Sequence, residues 1–148
     1  MPTKQTIVWG GKVERSLTGA ANSYTNIPEA KGLVVPQITV EYQDATSLDS
    51  EGGFREYVKG LKDAGEITME AGYTPLGYEQ QVADQAAADA IYYKVTMPRA
   101  PGQTAGDVFT FRGFPSPSVT ADDVGALASM SINIRITGGV VWVKGAGA

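Results

Sequence analysis

The 148-residue sequence contains no histidine and no cysteine. Without histidine, the side chain that titrates near neutral pH is missing, and with it the usual general base. Without cysteine there is no disulfide, thiol nucleophile or thiolate ligand, and the two absences together remove the commonest zinc ligands. An enzyme built on this chain would have to work with carboxylates, lysine, serine or tyrosine alone. Long apolar runs are missing too: no stretch approaches the roughly 20 residues that span a bilayer. The opening "MPTKQTIVWGGKVERS" also lacks the apolar centre of a secretory signal.

Hydrophobic residues make up 43% and charged residues 19%, globular values that argue against wholesale disorder. The 18 glycines and 8 prolines suit many turns and short strands better than a helical bundle. The length fits a single domain, 1–148. The net charge of -4 conceals a pattern. Residues 1–40 sum to +2, residues 41–93 set eleven acids against three basic residues, and residues 94–148 return to +2. No basic patch of the kind that binds nucleic acid is concentrated anywhere. An acidic middle between mildly basic ends is compatible with copies packing head to tail, and equally with an ordinary solvated surface.

Alternation of apolar and polar residues predicts the strands. "TIVW" (6–9) is short. "GLVVPQITVEY" (32–42) carries Pro36 at an edge or bulge, and "FREYVKGL" (54–61) returns. Between these two lies the acidic "DATSLDSEGG" (44–53), so 32–61 reads as a hairpin with a long connection. In 65–73, Ile67, Met69, Ala71 and Tyr73 share one face, and Glu66, Thr68 and Glu70 the other. Thr74 as N-cap and Pro75 at the first helical position open a helix through about Asp89, with Leu76, Val82 and Ala86 pointing inward. "IYYKVTM" (91–97) and "DVFTFRGF" (107–114) are strands, and "PSPSVTADDVG" (115–125) is extended or looped. The clearest alternation is 129–137, with Met130, Ile132, Ile134 and Ile136 against Ser131, Asn133 and Arg135. "VVWV" (140–143) follows. The expected fold is mainly β: an antiparallel β-sandwich or partly closed barrel with one packed α-helix.

Few residue groups suggest chemistry. Asp44, Asp49 and Glu51 supply the hard oxygens calcium prefers, but not the regular ligand spacing of a calcium loop. Glu66 and Glu70 on one strand face would stand about 13 Å apart, beyond the separation of about 9.5 Å at most that glycosidases use. The terminal "GAGA" precedes no helix that could hold a phosphate. Asp122 and Asp123 read as a turn pair, and Trp9, Trp142, Tyr92 and Tyr93 as core or interface residues rather than a sugar platform. No catalytic residue, metal ligand or cofactor is expected. A monomeric β-sandwich binding module, of carbohydrate-binding or adhesin type, remains the alternative class, with a carboxylate hydrolase behind it.

The ordered set "GLKDAGEITMEAGYTP", "GYEQQVADQAAAD", "YYKVTMP" and "DVFTFRGFPSPSVTADDVGALASMSINIRITGG" resembles the tail tube (major tail) proteins of long-tailed phages, over roughly residues 25–140. The "F-R-G" of that pattern is Phe111, Arg112 and Gly113. The lambda member carries a C-terminal immunoglobulin-like domain to which nothing here corresponds. The resemblance implies a structural virion protein, with no enzymatic role, whose hexameric rings stack into a hollow tube for phage DNA. It implies a tape measure protein in the lumen, tail terminator and tip proteins at the ends, and assembly in the host cytoplasm into the virion tail. Within the chain it implies an N-terminal arm (about 1–25) and a short C-terminal tail (144–148) that bridge subunits. Its ring-stacking loop (44–53) would hold Asp44, Thr46, Leu48, Asp49 and Glu51. For the polar strand faces it suggests the lumen wall: Glu66, Thr68, Glu70, Ser131, Asn133 and Arg135.

Overall fold

The computed structural model describes residues 9–20, 22–121 and 123–146. Among them are eight strands and one α-helix: β1 (Lys12–Ser16), β2 (Thr25–Asn26), β3 (Thr39–Asp44), β4 (Tyr57–Asp63), β5 (Glu66–Gly72), α1 (Pro75–Ala86), β6 (Ile91–Thr96), β7 (Val108–Thr120) and β8 (Ser129–Val143). Six form one antiparallel sheet in the order β2-β1-β6-β7-β8-β5, while β3 and β4 pair only with each other. The sheet curls until the segment 25–31 bonds to both of its ends. On one side Ile27 N–H donates to the Val13 carbonyl at 3.0 Å. On the other, Lys31 N–H donates to the Glu70 carbonyl at 3.0 Å and Gly72 N–H to the Glu29 carbonyl at 2.8 Å. The result is a partly closed barrel with a helix packed on it.

The alternating residues fill its inside as their period requires. Ile67, Met69 and Ala71 of β5 meet Ile134, Ile132 and Met130 of β8 in register, all buried. Ile91, Tyr93 and Val95 of β6 continue the layer, with the Tyr93 and Phe111 rings stacked at 5.7 Å. Each such aliphatic side chain taken fully out of water contributes about 1.5–3 kcal/mol. In the Phe-Arg-Gly triplet, Phe111 enters this core and Arg112 lies over the outer Tyr92 ring at 5.6 Å. Gly113 lies where β8 comes too close for a side chain, since a Cβ there would meet the Arg135 carbonyl oxygen at 2.8 Å.

Several boundaries differ from the sequence expectation, each for a physical reason. β7 runs straight through Pro115 and Pro117 to Thr120, because β6 ends opposite Gly113 and leaves this part of β7 with β8 as its one strand partner. A missing N–H is tolerated on such an edge. The two expected strands 129–137 and 140–143 are one strand, β8. The register against β7 slips at Gly138–Gly139, where Gly138 takes φ +81°, so the glycines make a bulge rather than an end. The hairpin strands begin later than expected, at Thr39 and Tyr57. The expected N-terminal arm is in its second half part of the sheet, as β1 and β2. The strand expected at 6–9 lies, except for Trp9, outside the described residues, as does Asp122.

The helix starts as expected. Thr74 caps it by accepting from Gly77 N–H at 3.1 Å, and Pro75 is its first residue. Its orientation corrects the expectation. Leu76, Val82 and Ala86 face outward, and the buried residues are Gly77, Gln81 and Asp84. The sheet beneath presents a charge: Arg15 of β1 forms an ion pair with Asp84, both side chains being almost fully enclosed. Burial pushes the Asp84 carboxyl above its ordinary range, with Arg15 opposing the shift. Burial and the nearby Asp84 also raise the Tyr93 hydroxyl. Removing one partner strands a buried charge, which costs about 3–5 kcal/mol, whereas replacing both by apolar residues is close to neutral. Asp84→Ala should therefore lower unfolding stability by about 3 kcal/mol in urea titration. Arg15→Met with Asp84→Leu should restore most of that loss, and equal losses in both variants would contradict this account.

Candidate assembly surfaces

The outer face of the sheet collects the six polar residues expected to share one wall. β5 and β8 lie side by side with Glu66 opposite Arg135, Thr68 opposite Asn133, and Glu70 opposite Ser131. β7 adds a third column, because Phe114, Ser116 and Ser118 stand opposite Arg135, Asn133 and Ser131. The sequence reading missed this column: the prolines between its members disguise the alternation. Although Arg135 is level with Glu66, its guanidinium approaches Asp63 instead, at 3.7 Å. Both groups are well exposed, so the pair adds little stability, but it leaves the glutamates uncompensated within the described residues. Towards β6, the same face turns basic, with Lys94 over the Tyr24 ring at 5.3 Å and Arg112 over Tyr92.

The second surface is the β3–β4 hairpin. Every residue of β4 is exposed, and all but one of β3. Tyr42, Leu48, Phe54, Tyr57, Val58 and Leu61 are exposed, with no face among the described residues to cover them. The hairpin joins the barrel at its base, where Ile38, Ala64 and Gly138–Gly139 surround a hollow of about 290 Å³. Its connection spans 45–56, slightly beyond the expected 44–53. Asp44 accepts from Thr46 N–H at 2.9 Å and pairs with Arg55 at 3.2 Å; these bonds, those from Thr46 foremost, hold its carboxyl below the usual carboxylate range. Thr46 Oγ1 in turn accepts from Glu56 N–H at 2.8 Å. Thus Asp44 and Thr46 shape the loop, while Leu48, Asp49 and Glu51 project from it. Among the described residues no group of three acidic side chains gathers to hold a metal.

No family model matches the sequence, and no curated protein matches it. Solved structures do. A chain of the anti-feeding prophage baseplate, six-fold symmetrised, superposes with a TM-score of 0.69 at 13% identity, over 97% of this chain and 98% of that one. A chain of a sheath/tube terminator from an extracellular contractile injection system gives 0.66 at 13%, over 94% and 96%. A chain of the tail of an empty GTA particle with C6 symmetry gives 0.63 at 18%, over 89% and 94%. The chain has their fold. The likeness extends over 89–97% of this chain and 94–98% of each of those chains.

Within that fold the C-terminal tail is clasped by its own subunit as far as it is described. Asp107 Oδ1 accepts from Gly145 N–H at 2.7 Å and from Gln103 Nε2 at 2.9 Å, and Thr104 N–H donates to the Ala146 carbonyl at 2.9 Å. The Gly145 bond, with Gln103 second, holds the Asp107 carboxyl below its usual range. A depressed carboxylate contributes stability above its unfolded value of 3.8 and loses it as pH falls through the lower folded value. Asp107→Ala should therefore speed Gly145 amide exchange at neutral pH while the Ile132 and Ile134 amides stay protected. The wild-type clasp should hold to a pH below 4; hydrogen exchange read by NMR checks both.

Proposed function

We propose that the protein is a structural subunit of a virion tail tube, without catalytic activity, whose hexameric rings stack into a hollow cylinder that phage DNA traverses. The observation that carries this reading is the unsupported hairpin. An isolated two-stranded hairpin is marginal in water, and this one exposes six large apolar side chains, so its folding is completed by another molecule. The whole-length likeness to chains of particles with six-fold symmetry makes further copies of the chain the natural partner. Extended binding partners are a tape measure protein in the lumen and terminator and tip proteins at the ends. Assembly takes place in the host cytoplasm and the finished protein resides in the virion tail.

In this reading Glu66, Thr68, Glu70, Ser131, Asn133 and Arg135 line the lumen, joined by Ser116 and Ser118 of β7. A basic wall would hold a dense polyanion through its phosphates. The wall of hydroxyls, an amide and glutamates has its arginine drawn toward Asp63, and the cationic Lys94 and Arg112 lie to one side of it, towards β6, so the wall itself offers phosphates little to hold. The loop with Leu48, Asp49 and Glu51 makes the ring-to-ring contact.

Concentrated purified protein, or protein mixed with a tail initiator complex, should form rings or tubes with six-fold symmetry by electron microscopy. Removing 46–51 should leave a folded monomer that does not polymerise, because none of those residues is buried in the subunit. A wild-type protein that stays monomeric and binds a glycan would instead support the binding-module alternative. Replacing Glu66 and Glu70 by lysine should permit assembly yet impair DNA ejection, measured as a loss of infectivity with tail number unchanged. Full infectivity would remove the lumen assignment.

A further inference from the structure

A groove of about 510 Å³ opens where the segment 26–33 parts from the start of β1. Its lining is mixed: Trp9 and Leu33 stand with the buried Val13 and Ile27, and Lys12 and Lys31 are also on it. Trp9 is 87% exposed, an unusual position for a tryptophan at the mouth of a groove. Neither lysine enters an ion pair among the described residues, and Glu29 is the one acidic side chain on the lining.

The hairpin tip has the opposite character. Leu48 is entirely exposed and Phe54 is 76% exposed. Asp49 and Glu51 stand beside them with no ion pair among the described residues, whereas Asp44 is already occupied by Arg55 and Thr46. Two acids and two apolar prongs thus match a groove that offers two lysines and the apolar side chains of Trp9 and Leu33. Apart from its mate, β4 makes its chief contact with β8, at the hairpin base, so the tip is not seated in its own groove.

We infer that the groove between β1 and residues 26–33 receives the hairpin tip of a second copy, with Leu48 and Phe54 against Trp9 and Leu33 and with Asp49 and Glu51 facing Lys12 and Lys31. The inference rests on the hairpin being the contact between rings and supplies its receptor. Tip and groove are different patches of one chain, so the contact is heterologous: each copy offers both a tip and a groove, and the assembly propagates instead of closing as a dimer. The groove also explains why lysines lie near the N-terminal end of the chain while the hairpin carries the acids. Charges placed this way suppress wrong registers as well as attracting the right one.

A charge swap tests it. Lys12→Glu with Lys31→Glu should raise the concentration needed for polymerisation at least about tenfold, and Asp49→Lys with Glu51→Lys should do the same. Combining all four should bring polymerisation back to near the wild-type concentration, with circular dichroism confirming that each variant is folded. Because the chain has no cysteine, Leu48→Cys with Lys31→Cys introduces its sole thiols. Mild oxidation of polymers of that variant should give a ladder of covalent multimers. Leu48→Cys with Val124→Cys, also exposed, should give none. Tubes that form normally with both lysines reversed, or that are not rescued by the swap, overturn the receptor assignment and leave the tube reading intact. A cross-linked product of monomer size shows the tip folding back on its own groove and likewise overturns it. A wild-type protein that forms no polymer overturns both.

Discussion

The segment 25–31 has to satisfy two strand edges at once, and the rest of the subunit follows from that. By bonding to β1 through Ile27 and to β5 through Lys31 and Glu29 it holds the sheet in a curl. A curled sheet has one face too tight for anything but side chains, and the period of two then decides everything else. Residues in step with Met130, Ile132 and Ile134 are committed to the core, and their neighbours Ser131, Asn133 and Arg135 are committed to the opposite surface. No single residue can change sides, since a shift of one position would move a whole strand's apolar set into water. The polar wall is therefore as firmly specified as the core, although most of its side chains are exposed.

Much of this was legible in the chain. The alternation in β5 and β8 named the buried residues and the polar six, except that Tyr73, expected on the inner face, lies past the end of β5 and is exposed; the Thr74–Pro75 pair located the helix start to the residue. Pattern alone failed where a neighbour overrode the local rule. The prolines of β7 look incompatible with a sheet until it is known that β6 stops opposite Gly113. The inward face of α1 was misjudged because an apolar interior was assumed, whereas Arg15 on the underlying strand selects Asp84 and turns Leu76 and Val82 outward. β1 was invisible as a strand because "KVERS" pairs with β6 through one apolar and one charged inward residue, a pattern with no period signal of its own. The surfaces that point to assembly were half legible. The acidic loop stood out by composition, but the groove depends on where residues 26–33 leave β1, which no spacing reveals.

The helix and the hairpin share an inverted logic. In an ordinary subunit the apolar side chains of an element face its own core. Here the underside of α1 is polar, its upper surface carries Leu76 and Val82, and the hairpin keeps tyrosines, leucines and a phenylalanine in water. Burying each of those side chains in a partner would contribute on the order of 1.5–3 kcal/mol before the cost of association. The isolated chain thus leaves much apolar surface in water, and if copies of the chain cover it, as proposed, stability will rise with protein concentration.

Such a chain must avoid sticking to itself in the wrong way, and the hairpin sequence carries the means. β3 and β4 are both open edges, the kind of surface that templates uncontrolled strand addition. Lys59 and Lys62 stand among Val58 and Leu61 on β4, and Glu41 interrupts β3 beside the register slip at Gly60 and Leu61. A charge every few residues and a broken ladder make edge-to-edge pairing of two hairpins costly while leaving the tip free. The contact inferred above, in which the acids of the tip meet Lys12 and Lys31 of a second copy, is not opposed by these features. Charges along the hairpin shaft and exposed acids at its tip thus work against indiscriminate strand addition while leaving the tip available.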